Sequence, residues 1–558
     1  MLSNCQHRWF VTLVGLFATC AVLNVTSGAV RSLQAAEPPA ELNAPQASVI
    51  EPVEARELAQ KLDAHLAARW QSANVEPAAP CDDAEFLRRV SLDLAGKIPS
   101  LSEAREFLND PNPDKRAVLV DRLLSHASFA AHFANVWRGL LLPSVNNNAE
   151  TRALVAPLES WLRLRFAEKA RYDRLVTEIL TTRVEAPQAN VGLVAPPTAP
   201  TPAAFFFANE RKPETLAAST SRLFLGVQLQ CAECHDHPFA DWKRDEFWSF
   251  AAFFREVALP PSAGEDVAPR VASSDPAAVI EIPGTGRRVA AQFLRDSQSP
   301  TDASQNERVQ LARWITSGSN PFFARATVNR LWAHFLGYGL IEPIDDVSAV
   351  NPPSHSEVLD ALVEQFVAHR FDLGYLVRAI VATRAYQLSS GDVSATDNDP
   401  RLFARMPLKT LSAEQLFDSL VEATGYRPAK PQANAAAVVS EGSARSQFVA
   451  RFGVANERTA EGDSSILLAL AMMNGDLVGA ATSLEESETL TAIAEAPFFD
   501  TAARIEALFL ATLSRQPTPE ELQRFVGYVD AAGNKQRREP LADVFWALLN
   551  SSEFQLNH

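Results

Sequence analysis

The sequence predicts a mainly α protein: two helical domains with a small β-hairpin insert between them. Three observations predict it. Apolar residues recur at helical spacing along most of the chain, capping motifs led by serine or threonine punctuate those runs, and only the stretch from Val279 to Phe293 reads as paired strands. A chain of 558 residues also exceeds what one hydrophobic core organises, so more than one domain is expected.

Residues 1–36 read as a signal peptide. His7 and Arg8 form a weak basic start, Trp9 to Val25 is largely apolar, and Ser27-Gly28-Ala29 and Ala35-Ala36 offer small residues for cleavage. Thr12, Thr19 and Asn24 weaken the run as a membrane span, so cleavage rather than anchorage is expected. The mature protein is then exported, periplasmic or extracellular, and no later stretch spans a membrane. Residues 37–52, rich in Pro, Ala and Glu, form a disordered lead-in.

The N-terminal helical domain spans 53–257. Leu58, Leu62, Leu66 and Trp70 recur at four-residue steps, and Asp82 to Leu94 continues in helix until Gly96 and Pro99. Ser100-Leu101-Ser102-Glu103 is a capping box. Helices are expected at Lys115–Leu124, Phe129–Leu141, Leu158–Ala167 and Tyr172–Thr181, then a loop over Pro187–Pro202. A helix over Pro213–Leu225 leads into Cys231-Ala232-Glu233-Cys234-His235, and another over Asp245–Phe254 leaves it. Trp242 and Trp248 read as packing residues. The linker, 258–305, holds Val279–Ile282, a Pro283–Gly286 turn and Val289–Phe293 as a hairpin. The C-terminal helical domain, 306–558, shows capped starts at Ser354…Glu357, Ser412…Gln415 and Thr518…Glu521.

With 51 basic against 67 acidic residues the formal charge is −16, which argues against a nucleic-acid partner. Loss of the signal removes Cys5 and Cys20 and leaves Cys81, Cys231 and Cys234, too few for a disulfide framework. Cys81 reads as a small buried hydrophobe. No G-x-S-x-G, H-E-x-x-H or phosphate loop is present, so no catalytic residue is assigned.

The C-x-x-C-H pentapeptide carries the chemistry. It is the attachment pattern of c-type haem: Cys231 and Cys234 form thioethers and His235 ligates iron. His237 follows too closely to reach the opposite face, so a distal ligand would come from Met406, Met472, Met473, His334 or His355. A second reading places zinc or another transition metal on the cysteines with His235, His237, Asp236 or Asp241. A third joins Cys231 and Cys234 in a structural disulfide. Asp345 and Asp346 with His355 form a weaker candidate metal or acid–base site, against which stands a turn-capping role for the aspartates.

Three stretches also carry a resemblance. The first is Leu225 to Phe239 (L-G-V-Q-L-Q-C-A-E-C-H-D-H-P-F), followed by Asp245-Glu246-Phe247-Trp248. The second runs from Asn320-Pro321-Phe322-Phe323 through Asn329-Arg330-Leu331-Trp332-Ala333-His334-Phe335 to Asn351-Pro352-Pro353-Ser354-His355 and Tyr386-Gln387-Leu388-Ser389-Ser390. The third is Trp546 to Phe554, ending Asn557-His558. They resemble a family of planctomycete secreted proteins that pair a cytochrome-named domain of unknown function with a planctomycete-specific second domain of unknown function. Ala240 stands where similar sequences often carry Asp, with Asp241 one residue later. The resemblance implies a partner among exported redox or sulfatase-like proteins.

Together these readings give an exported c-type haem protein serving electron transfer or redox chemistry outside the cytoplasm. The alternative is a non-catalytic secreted or polysaccharide-associated protein whose motif binds zinc or forms a disulfide.

Overall fold

The computed structural model describes residues 53–142, 149–184, 199–257, 279–295, 306–391, 399–426, 444–452, 470–473, 475–532 and 538–558. The proposed signal peptide and lead-in, and most of the Pro187–Pro202 loop, fall outside them. The protein is mainly α. The early helices run Ala55–Ala73, Asp83–Ala95, Leu101–Asn109, Lys115–Ser125, Ala127–Leu141, Ala149–Ala167 and Tyr172–Thr181.

Local chemistry explains where several helices begin. Asp82 accepts the Glu85 N–H at 2.8 Å, and full capping boxes form at Ser100/Glu103, Ser412/Gln415 and Thr518/Glu521. The fourth expected cap does not form. The helix after the Pro352-Pro353 pair begins at Ser356, with His355 at the N-cap and no side-chain cap. Ser354 turns back instead, giving both its N–H (2.7 Å) and its hydroxyl (3.2 Å) to the Leu340 carbonyl.

The expected hairpin pairs Val279–Glu281 with Arg288–Ala290, in the register Ile280↔Val289. A second antiparallel pair joins Lys409–Thr410 to Leu556–Asn557, uniting segments far apart in sequence.

Buried apolar side chains form two cores. The larger draws on residues from Leu58 to Met406 together with Leu510. The smaller draws on Leu411 to Phe554 together with Leu92 and Ile98. The helix Asp83–Ala95 serves both, because Phe86, Leu87, Val90 and Leu94 enter one and Leu92 the other.

That helix is buried from Phe86 to Leu94, and it carries three charges inside. Arg88 donates to the carbonyls of Thr512 (3.1 Å), Glu553 (3.1 Å), Phe554 (2.9 Å) and Leu556 (3.3 Å). Arg89 pairs with Glu85 at 2.6 Å and donates to the Tyr386 and His558 carbonyls. Asp93 accepts from Lys409 Nζ (2.7 Å), Tyr386 Oη (2.8 Å) and Asn557 Nδ2 (2.7 Å). Lys409 also donates to the His334 and Phe335 carbonyls at the end of the helix Phe323–Leu336, where carbonyls lack helical partners. Burial still pulls its ammonium below the usual lysine range, with Asp93 opposing the shift.

Because a buried charge stripped of its partner is costly, Lys409→Met should lower stability by about 3–5 kcal/mol in denaturant unfolding. Adding Asp93→Asn should recover part of that loss, since the uncompensated carboxylate is gone. Acid should weaken the fold as well. Burial holds His132 down at about 3 and His355 at about 4, against 6.5. The unfolded chain therefore binds protons below pH 6.5 that the folded chain does not. Stability should be independent of these groups above pH 6.5 and fall by about 1.4 kcal/mol per pH unit per histidine towards pH 4. A shallower decline of Tm with acid in His355→Gln checks the assignment.

Candidate functional site

The approach to the pentapeptide is fixed by a helix that changes pitch. Pro213–Thr220 is α-helical, Ser221–Leu225 widens into a π-turn, and Gly226 ends it at φ 64°, in the left-handed region. Close approach also requires glycine here: a Cβ would lie 2.8 Å from Val347 Cγ2. The Val347 N–H donates to the Gly226 carbonyl at 2.7 Å, and Gln228 Nε2 donates to Asp345 Oδ1 at 2.7 Å. The loop carrying Val347 is held by the buried Asn329 side chain, which donates to the Ile341 and Ile344 carbonyls and accepts the Ile341 N–H.

Gln230–Glu233 forms a single 3₁₀ turn. Ala232 points inward and is fully buried, while the Glu233 carbonyl accepts Trp248 Nε1 at 3.0 Å and Arg244 Nε at 3.2 Å. Arg244 also donates to the Pro283 carbonyl of the hairpin at 3.1 Å. Anchored at its centre, the turn directs Cys231, Cys234 and His235 outward, and all three are exposed. Both cysteines are free thiols. Phe239, four residues on, is 86% exposed, an unusual setting for a large aromatic side chain.

The two histidines hold opposite tautomers. His235 Nδ1 lies 2.7 Å from the Asp236 carbonyl oxygen, which can only accept. Nδ1 therefore carries the proton, and in the neutral ring Nε2 keeps its lone pair. His237 Nδ1 accepts backbone N–H groups from Phe239 (3.2 Å) and Ala240 (2.8 Å). Its lone pair is occupied there, and its proton sits on Nε2. A metal-bound histidine typically donates its second ring nitrogen to a carbonyl or carboxylate. His235 has that arrangement and His237 lacks it.

The carboxylates beside the motif have structural partners. Asp236 accepts the Arg244 N–H at 3.0 Å, the main reason its carboxyl titrates below the usual range, and pairs with Lys243 at 3.4 Å. Asp241 pairs with Arg295 at 3.2 Å and Lys243 at 3.8 Å. Among the described residues, no three His, Cys, Asp or Glu side chains converge as a ligand set. In the second constellation, Asp345 faces Gln228 and Arg222, and the Asp346 carbonyl accepts Asn351. His355 is buried against Phe403, its Nδ1 3.1 Å from the Ser354 hydroxyl.

The proposed distal ligands are mostly interior. Met406 lies in the larger core and Met472 in the smaller. His334 packs among His132, Phe133 and Phe335, and Met473 is half exposed. Cys81 is buried with Arg89 and Arg116 nearby, and burial raises its thiol pKa. The grip of Trp248 and Arg244 on the Glu233 carbonyl, and the Asn329 clasp, were not read from the sequence. The one local signal is Asn329 itself, a polar residue among the mostly apolar buried positions of the helix Phe323–Leu336.

Residues 61–258 match the family PSCyt2, a protein of unknown function (DUF1549), and residues 307–529 match PSD1, a protein of unknown function (DUF1553). The chain joins a PSCyt2 domain to a PSD1 domain. No curated protein and no solved structure matches it. The pentapeptide lies in the PSCyt2 segment, whereas Asn329 and Val347, which brace its approach, lie in PSD1.

Thiol reactivity checks this placement. In reduced protein carrying Cys5→Ser and Cys20→Ser, two thiols should react at once with an aromatic disulfide reagent. Cys81 should react only on unfolding. Arg244→Ala should raise amide exchange across residues 231–236 without a comparable change in the smaller core.

Proposed function

We propose that the chain is an exported c-type haem protein in which Cys231 and Cys234 form the thioethers and His235 Nε2 is the iron ligand. The single observation that carries this reading is the tautomer of His235. Its Nδ1–H is engaged by the Asp236 carbonyl, leaving the lone pair on the outward nitrogen of an exposed ring. The residues present fit the group. Two exposed free thiols sit at the attachment spacing, and the apolar ring of Phe239, four residues after His235, stands uncovered. Bound haem supplies one-electron redox chemistry.

The protein's own contribution is positional. Ala232 and the doubly bonded Glu233 carbonyl anchor the turn, so the three side chains meet a ligand from a fixed backbone. The zinc alternative draws less support, since the lone pair of His237 already accepts two backbone donors. Met406, Met472, His334 and His355 are enclosed by core side chains, so of the candidate second ligands only the half-exposed Met473 would be accessible to a bound iron. Redox chemistry at such an iron, outside the cytoplasm, is the role we infer. Export rests on the apolar N-terminus.

Expression with a haem-maturation system tests the reading. The wild type should retain haem on a denaturing gel and show a reduced α-band. Cys231→Ser/Cys234→Ser should lose covalent haem, His235→Ala should keep it with an altered ligand-field spectrum, and His237→Ala should behave as wild type. A wild type without covalent haem, or a spectrum that depends on His237 and not on His235, sinks the proposal.

A further inference from the structure

A half-open cavity of about 530 Å³ lies just beyond the motif loop, within the range of small-molecule sites. Ala240, whose N–H is bonded to the His237 ring, forms part of its lip. The lining combines Trp242, Phe322 and Val347 with two arginines, Arg295 and Arg325, and one carboxylate, Asp241.

Both arginines are held at the wall by groups they can exchange. Arg295 lies 4.2 Å from the Trp242 ring centroid, stacked on an indole that is itself buried. Its backbone takes φ 56°, a left-handed conformation uncommon for a residue with a side chain. Its carboxylate partner, Asp241, is 75% exposed, and Lys243 is a second partner for Asp241. Arg325 pairs at 2.5 Å with Asp360, which is 59% exposed. Exposed pairs of this kind are weak, so an incoming carboxylate displaces them at little cost.

We propose that this cavity binds a small, flat-bodied carboxylate: the apolar walls take the ring, and Arg295 and Arg325 take the anionic groups through forked hydrogen bonds. Arginine rather than lysine suits that task, because its planar fork matches a carboxylate while its face stacks on an aromatic ring. The site draws on both family segments, with Trp242 from one and Phe322 and Val347 from the other. It stands apart from the haem reading and needs no metal.

Calorimetric titration of the full chain with terephthalate and with its neutral diamide tests it. Terephthalate should bind saturably, more weakly as salt is raised, and at least about tenfold tighter than the diamide. Arg295→Gln and Arg325→Gln should each weaken it at least about tenfold while the circular dichroism stays that of the wild type. Arg295→Lys should fall between, because charge remains and the fork is lost. Cys231→Ser/Cys234→Ser should bind as tightly as wild type, which keeps this result separate from the fate of the haem proposal. No binding to wild type, a diamide as tight as the dianion, folded Gln variants with unchanged affinity, or loss of binding in the cysteine variant would each overturn it.

Discussion

The carboxylate of Asp93 is the constraint on which the rest of this structure depends. It sits on a helix that belongs to both cores, and its three donors come from three remote places: Lys409, Tyr386 and Asn557. Lys409 extends the link to the last carbonyls of the helix Phe323–Leu336. A buried ion pair is a poor source of net stability, but it penalises every arrangement in which one partner is missing. Here that penalty selects one way of closing the chain, with Leu556–Asn557 paired to Lys409–Thr410 and clamped by Arg88 and Arg89.

The placement of the motif follows from the same helix. Phe323–Leu336 carries Asn329, which shapes the loop whose Val347 meets Gly226. The two family segments are therefore interdependent at the motif: the PSD1 segment supplies the brace and the PSCyt2 segment the cysteines and histidines. The turn itself is held at one atom, the Glu233 carbonyl, by Trp248 and Arg244. Its outward side chains are thus presented by a rigid backbone, the condition a covalent cofactor or any precise ligand needs.

Much of the helical frame was legible because it rests on local rules. Apolar spacing located Tyr172–Thr181 to the residue, and the boxes at Ser100, Ser412 and Thr518 formed as their spacing implies. Ser354 departed because a nearby carbonyl, that of Leu340, outcompeted the cap. What the sequence could not disclose is non-local. Lys409 reads as an ordinary surface lysine until Asp93, 316 residues away, is placed against it. The pair Lys409–Thr410 with Leu556–Asn557 is too short to leave an alternating pattern. At the motif, residue types were readable from C-x-x-C-H. The distinction between His235 and His237 was not, since it depends on which backbone groups each ring meets.

That distinction is the centre of the functional account, and long-range ¹H–¹⁵N correlation of histidine-labelled, reduced, haem-free protein tests it most directly. With His235→Ala and His237→Ala spectra for assignment, at a pH where both rings are uncharged, the account predicts His235 protonated on Nδ1 and His237 on Nε2. The reverse pattern, or the same tautomer for both rings, would contradict it.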